Sequence, residues 1–527
     1  MYRWNCAVGL RASTSPTVRV HLSATSTSTA NVTTPFAQFL RTIDFDYDFY
    51  DDMASAGVRQ CIRDVTLYLV LLIFVSTLGP LQFGYHLAEL NAPQSVIRSS
   101  VRLSESEYAF LSSIFVVGGF LGALLAGPTS TRYGRLRSMR ITSICFVLGS
   151  GLETTAGTVW VISIGRFFSG VGAGASTVIV PLYISEIAPP KERGLFGTMT
   201  QITINVGILI TQTLGYYLSK PSLWRIILAV GFGIAVLQLV GLCFLPESPA
   251  WLASNVSQQE AIEVLQRIRG SDNSIDEEVS EWDGKLVPEE ERLLHGVQCP
   301  LVNGREALPS VGFFGVIRDP FYRPAIIAVI GIMVAQQFCG VNSIMMYSVS
   351  LLEGLLPVSS TLVTIMVSFV NLFTTIACAP LADKIGRKSC LLLSIAGMGS
   401  MSLCLAFSML FKVKLLSAIS VTMFVAFFAM GLGPVPFMMA SELVGQEAVG
   451  ATQSWALGSN YVATFIVAQF FPLINTALNK NLGGSGWAYF IFAALALLSF
   501  LFVSLRVPET KGKKNADDVW GRARRDD

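Results

Sequence analysis

Between residues 65 and 506 the chain alternates apolar runs of about twenty residues with short polar breaks. Twelve runs are present, at roughly 65–84, 107–127, 139–157, 161–184, 197–218, 224–245, 322–347, 359–380, 389–411, 417–441, 449–474 and 486–506. Crossing about 30 Å of hydrocarbon takes about 20 helical residues, so each run predicts a membrane-spanning helix. Several runs hold Gly, Pro, Ser, Thr, Asn and Gln, which suits helices lining a wet cavity better than lipid-facing anchors. The rhythm breaks between the sixth and seventh runs, where residues 246–321 are polar and rich in acid (Asp276-Glu-Glu278, Glu289-Glu-Glu291). Ile262, Leu265 and Ile268 fall there at helical spacing and predict a short helix over Gln258–Gly270. The expected organisation is a tail (1–60), a six-helix half (61–245), a linker with short helices (246–321), a second six-helix half (322–507) and a final tail (508–527).

Composition supports a membrane protein: 52% of residues are hydrophobic and 14% charged, against about a quarter charged in soluble domains. A net charge of +2 gives no case for nucleic-acid binding. The nine cysteines lie far apart, without CxxC or metal-like spacing, and most fall in apolar runs, as small buried side chains do. No HExxH, GxSxG or nucleotide-cradling loop occurs, so the chain is read as a non-enzyme without cofactor or metal, with no ATP-driven step.

Basic residues in short loops orient the helices. Arg132, Arg135, Arg137 and Arg140 follow span two, Lys191 and Arg193 span four, Lys384, Arg387 and Lys388 span eight, and Lys511, Lys513 and Lys514 stand in the tail. The opposite loops hold few cations, so both termini and the linker are expected in the cytosol. On that topology Asn31-Val-Thr33 and Asn255-Val-Ser257 stay unglycosylated. Residues 1–60 lack acid up to Thr42 and are rich in Arg, Ser and Thr. A disordered cytosolic tail is the expectation, with an organelle transit peptide as the alternative.

Short patterns recur in order about 250 residues apart. Arg132-Tyr-Gly-Arg135 is echoed by Lys384-Ile-Gly-Arg387, Ser185-Glu186 by Ser441-Glu442, and Pro246-Glu-Ser-Pro249 by Pro508-Glu-Thr510. An ordered series of echoes indicates a duplicated six-span unit, and two such halves around a cavity are the major facilitator architecture. Glu186, Glu442, Asp383 and Glu509 can pair with the loop cations, forming a charge cluster expected to hold the halves together in one state and break in the other.

The chain resembles the sugar porter family of the major facilitator superfamily, especially glucose-facilitator-type members. The resemblance rests on Leu81-Gln-Phe-Gly-Tyr85 with Asn91-Ala-Pro-Gln94, Gly165-Arg-Phe167, Pro181-Leu-Tyr-Ile-Ser-Glu186 and Val206-Gly-Ile-Leu-Ile-Thr-Gln212. It continues through Pro246-Glu-Ser-Pro249, Gln336-Gln337 with Gly340-Val-Asn342, Gly433-Pro-Val-Pro436 and Val507-Pro-Glu-Thr-Lys-Gly512. It implies twelve helices in two pseudo-symmetric halves and transport of a hexose by alternating access. It places the sugar among Gln201, Gln336, Gln337, Asn342, Asn371 and Asn460, with Phe437 and Tyr461 where the family often has tryptophan. Primary amides suit a hexose independently, since they both donate and accept without the cost of a buried charge. Bridging between helices is the alternative role for any one of them. On a straight helix Gln336 and Gln337 would lie about 100° apart and Asn342 roughly 120° from Gln336. A three-amide site on span seven therefore requires a break, expected at Gly340.

The resemblance also makes Tyr347, with Met346 beside it in place of an aromatic residue, part of an outer gate. Leu432 stands for a proline, Thr131 for an acid and Val449 for an arginine, which thins the expected charge network. Proton-coupled members carry a carboxylate directly after the Gly-Tyr of span one, facing an arginine that here is Arg166. This chain has His86 at that position. A nearby cation and burial both disfavour imidazolium, so facilitative uniport is favoured, while Glu89, one turn on, keeps proton symport as an alternative. A sugar receptor that does not transport is a third reading. The membrane expected is the plasma membrane or a vacuolar one.

Overall fold

The computed structural model describes residues 66–189, 193–270, 275, 278–279, 314–352, 360–379, 381–445, 448–513 and 516–521, all within the unit Asp64–Asp527. The expected tail 1–60 lies outside them. The first half comprises α1 (Leu67–Ala88), the short α2 (Gln94–Val101), α3 (Glu105–Tyr133), α4 (Arg135–Thr155), α5 (Val159–Ile187), α6 (Arg193–Leu218) and α7 (Trp224–Leu242). After the linker helices α8 (Pro249–Asn255), α9 (Gln258–Arg269) and α10 (Gly315–Arg318) comes the second half. It runs through α11 (Arg323–Phe338), α12 (Val341–Leu352), α13 (Ser360–Cys378), α14 (Leu381–Ile385), α15 (Arg387–Leu410), α16 (Lys414–Met430), α17 (Val435–Glu442), α18 (Val449–Leu482) and α19 (Trp487–Arg506); α20 (Ala516–Trp520) follows.

Each predicted span is occupied by helix. Among the described residues nine helices, counting α16 and α17 as one, are long and apolar enough to cross a membrane, and the broken pair α11–α12 makes a tenth. The remaining two, α4 and α6, have 21 and 26 residues and are more polar. Large apolar side chains such as Phe74, Leu125, Phe244, Phe373 and Leu505 stand exposed around the outside, an arrangement suited to hydrocarbon rather than water. Inside, glycine lets backbones touch: a Cβ on Gly174 of α5 would lie 1.9 Å from the carbonyl oxygen of Gly119 on α3. Such small-residue seams replace the hydrophobic drive that helices lose in lipid.

The sequence echoes fold into matching nodes at the face that carries the basic loops, hereafter the basic face. In the first half Arg135 donates to Glu186 from Nε and Nη2 at 2.9 and 2.7 Å, while Glu247 Oε1 accepts from the Arg135 and Leu136 amides, the unpaired donors at the start of α4. In the second half Arg387 pairs with Glu442 at 3.2 Å and Glu509 accepts from the Arg387 and Lys388 amides. Ser248 and Thr510 complete the nodes by donating to Glu186 and Glu442. Gly134 and Gly386 (φ +94° and +99°) leave room for Glu247 and Glu509, whose oxygens would lie 2.4 and 2.5 Å from an added Cβ. Both ion pairs stay within a half in this state, as expected of the state in which a bridge between the halves is broken. Arg132 is exposed and lies over the Tyr133 ring at 5.4 Å. The side chains of Arg193 and Asp383 lie outside the described residues.

The predicted helix over Gln258–Gly270 is α9, with Leu265 and Ile268 buried. It is pinned to the first half by Thr66 Oγ1 donating to the Ile268 carbonyl and by Arg269 Nη1 donating to the Ile187 carbonyl. At the opposite, far face the two halves meet directly. Asn91 Nδ2 donates to the Met345 carbonyl, the Val349 amide donates back to Asn91 Oδ1, and Ser113 Oγ donates to Gln469 Oε1. Tyr347, the expected gate residue, donates to the Ala468 carbonyl behind this seam. The far face is therefore the shut one.

Candidate functional site

Span seven breaks where expected. The α11 helix ends at Phe338, Gly340 takes φ +98°, and α12 starts at Val341 with a bend of 40°. The Phe492 ring lies 2.7 Å from where a Cβ on Gly340 would stand, so a side chain there would be both strained and blocked. The break turns Asn342 back towards Gln337, whose Oε1 accepts from Asn342 Nδ2 at 2.6 Å. Gln337 Nε2 donates to Gln336 Oε1, and Asn460 Nδ2 of α18 donates to the same oxygen at 2.5 Å. Gln336 Nε2 donates to the carbonyls of Leu432 and Gly433, freed by the gap between α16 and α17. Four predicted amides are thus joined, each less than a tenth exposed. No donor to Asn342 Oδ1 or Asn460 Oδ1 is found among the described residues.

Gln201 and Asn371 belong to a second group. Asn205, buried on α6 one turn after Gln201, links them: its Oδ1 accepts from Gln201 and from Asn371 at 3.3 Å each, and its Nδ2 donates to Thr375 Oγ1. This bridge joins α6 to α13, one half to the other. Sequence reasoning missed Asn205, although its spacing from Gln201 places both on one helical face. Phe437 is 41% exposed and belongs to neither group. Tyr461 is buried against Gly119 of the other half, so its ring serves the interface.

The second polar centre lies in the first half. Arg166 on α5 is 1% exposed and donates from Nη1 to the His86 carbonyl at 2.7 Å and to Glu89 Oε1 at 2.5 Å. Its guanidinium also lies 4.5 Å from the Phe115 ring centroid. His86 Nδ1 is 3.0 Å from both Glu89 oxygens, and its Nε2 is 3.2 Å from Ser150 Oγ. The imidazole stacks on Phe146 at 5.7 Å. The expected neighbour of Arg166 is therefore present, but it meets the main chain of His86 and the side chain of Glu89. A further carboxylate, Glu153 on α4, was missed by sequence reasoning. It is fully buried, accepts from Ser169 Oγ at 2.7 Å, and comes within 4.8 Å of both His86 and Glu89. Because Arg166 holds the Glu89 oxygen that a metal cation would need, this group is not read as a metal site.

Comparison with known proteins decides the family. Residues 72–517 match the family described as "Sugar (and other) transporter". The chain belongs to this family of sugar porters. A probable metabolite transport protein of Saccharomyces cerevisiae is 34% identical over 494 residues, covering 89% of this chain and 98% of that one. Human solute carrier family 2, facilitated glucose transporter member 4 is 33% identical over 480 residues, covering 85% and 89%. Among solved structures the xylose transporter XylE of E. coli, in a partially occluded inward-open conformation, superposes with a TM-score of 0.70 at 26% identity, over 85% of this chain and 100% of that one. The sugar porter thus has the major facilitator fold, spans the membrane many times, and is a transporter of sugars rather than an enzyme.

Proposed function

We propose that this sugar porter carries a monosaccharide of hexose type through the membrane by alternating access, with Gln336, Gln337, Asn342 and Asn460 as the sugar-binding amides. The joined amides on the broken span seven carry this reading. A sugar hydroxyl both donates and accepts, and can replace each amide–amide hydrogen bond with an amide–hydroxyl one at little net cost. Gln201 and Asn371, held by Asn205 across the two halves, add two further amides to the proposed sugar contacts. Both termini and the linker, taken as residues 246–321, lie in the cytosol on the count of loop cations, so the basic face is cytosolic and the described state is open inward. The relatives named for glucose and xylose transport support a hexose-sized substrate. The membrane proposed is the plasma membrane or a vacuolar one.

A specific observation favours proton coupling over the uniport preferred from sequence. That preference rested on His86 facing Arg166, with Glu89 one turn on keeping symport as the alternative. Glu89 stands between them, so the proton-titratable carboxylate opposite the arginine is supplied one turn later. Uptake of radiolabelled hexose in a transporter-null host, with and without a protonophore, separates the readings. Loss of uptake with the protonophore supports symport and insensitivity supports uniport. Sugar binding without uptake would make the protein a receptor.

A further inference from the structure

We propose that Glu89 and Glu153 hold one exchangeable proton between them, with His86 as its relay, and that this proton locks the far-face gate. The argument begins with charge. Arg166 carries one positive charge, and two ionised carboxylates beside a neutral His86 would leave a net negative charge in a wholly buried site. An unneutralised charge in such surroundings is costly. One proton, on any of the three titratable groups, makes the cluster neutral. Two carboxyl groups this close share a proton rather than ionise together.

Hydrogen bonding assigns the proton its place. Glu153 Oε1 accepts from Ser169, whereas Oε2 is buried with no donor among the described residues. A protonated Oε2 needs no donor; it becomes one, and the Glu89 carboxyl lies within 4.8 Å of the Glu153 carboxyl. Glu89 then accepts from Arg166, His86 and Glu153 together. His86 can take the proton in turn. With Nδ1–H donating to Glu89, Nε2 accepts from the Ser150 hydroxyl; once protonated, Nε2–H donates to Ser150 Oγ, and that hydroxyl turns to the Phe146 carbonyl, 2.8 Å away. Proton balance is simple: the acid pair gives its proton to His86, His86 gives it to water, and the pair is left as two carboxylates facing one arginine. The other ionisable groups around the cluster are Tyr85 on α1, Tyr108 on α3 and Tyr347 on α12; Tyr85 and Tyr347 donate to main-chain carbonyls within their own halves, and Tyr108 to that of Leu90.

The link to the gate is short. Glu89 caps α1, Arg166 and Tyr108 hold the carbonyls of His86 and Leu90, and Asn91 clasps α12 across the far seam. Losing the proton leaves a dry carboxylate that must admit water, and the nearest moving part is this clasp.

Infrared difference spectroscopy of the purified full-length protein, titrated with acid and base, tests the proton pair without reference to sugar. The carbonyl stretch of a protonated carboxylic acid should be present at neutral pH and vanish in both Glu89→Gln and Glu153→Gln. Absence of the band in the wild type, or its survival in both variants, overturns the proposal. Should Glu153→Gln fail to fold, Ser169→Ala removes the donor to Oε1 and should shift both the band and its titration midpoint; an unmoved band overturns the proposal equally. The gate link is read by thiol labelling of a cysteine placed at the far seam, which should increase severalfold on deprotonation of the wild type; labelling indifferent to pH would refute the lock. The tie to sugar rests on the proton-coupled reading above and is read separately. In proteoliposomes a pH gradient should drive accumulation of labelled hexose in the wild type and lose at least tenfold in Glu153→Gln. A band without gradient-driven accumulation keeps the proton pair and refutes the coupled reading.

Discussion

In the first half the buried polar centre is ionic: Arg166, Glu89, Glu153 and His86, none more than 1% exposed. In the second half it is neutral: Gln336, Gln337, Asn342 and Asn460, joined amide to amide. The two halves share a duplicated scaffold down to the Arg–Glu–Gly nodes of the basic face, yet their polar centres share only the first span of each half: the ionic one adds α4 and α5, the neutral one α18. Amides can exchange their partners for a sugar and remain neutral throughout. An ionic cluster cannot lose a charge without a counter-move, which makes it suited to sensing a proton. On the proposed reading, the duplication lets one half bind while the other couples.

The largest test removes the cation. Arg166→Gln leaves the acid pair without its counter-charge, and breaking a buried pair in this way costs about 3–5 kcal/mol. We expect a strongly lowered melting temperature in detergent and poor recovery of monodisperse protein; a variant as stable as the wild type would erase the distinction between the centres. Next, Gln336→Leu deletes the amide at the hub of the neutral group. Losing one or two hydrogen bonds at about 1–1.5 kcal/mol each should weaken hexose binding about tenfold or more, while stability falls less than in Arg166→Gln. Binding within twofold of wild type would place the sugar elsewhere.

A finer comparison uses the paired nodes. Arg135 grips Glu186 with two nitrogens at 2.9 Å or less, whereas Arg387 meets Glu442 at 3.2 Å and Glu442 is twice as exposed, 29% against 14%. Bidentate charged bonds are roughly twice as strong as ordinary ones, and exposed pairs are worth about 0.2–1 kcal/mol. Glu186→Gln should therefore destabilise the protein by about 1–2 kcal/mol and Glu442→Gln by less than about 1 kcal/mol, read as melting shifts; equal shifts would show the nodes to be energetically alike. The smallest effect is at the seam between the halves. Asn91→Ala removes two hydrogen bonds across the far face, and about 1 kcal/mol should raise far-side labelling of an engineered cysteine roughly fivefold.

Much of this was legible in the residues. The twelve helices followed from apolar run length, the break at Gly340 from the angular spread of three amides, and the duplicated nodes from ordered echoes. Each of these is a local property, carried by residues close together in the chain or by a short motif repeated intact. What the sequence left open was partnership. Arg132 has the same charge as Arg135 but lies outside the node, over the Tyr133 ring. Gln201 and Asn371 look like the span-seven amides, yet Asn205 draws them into a separate group. Phe437 occupies a family position without joining either.

The sequence by itself determined that the chain is a duplicated, twelve-helix sugar porter with an interrupted seventh span. Membrane helices are specified by stretches of twenty residues, and the fold by their number and order. Only the tertiary structure decided what His86 faces. The charge state of a buried ring depends on every group within a few ångströms, and Glu153 arrives there from another helix, through the packing of α4 against α5. No pattern along the chain links Glu153 to Glu89; only helix packing, with glycines at the contact, brings two carboxylates and one arginine into the same dry pocket.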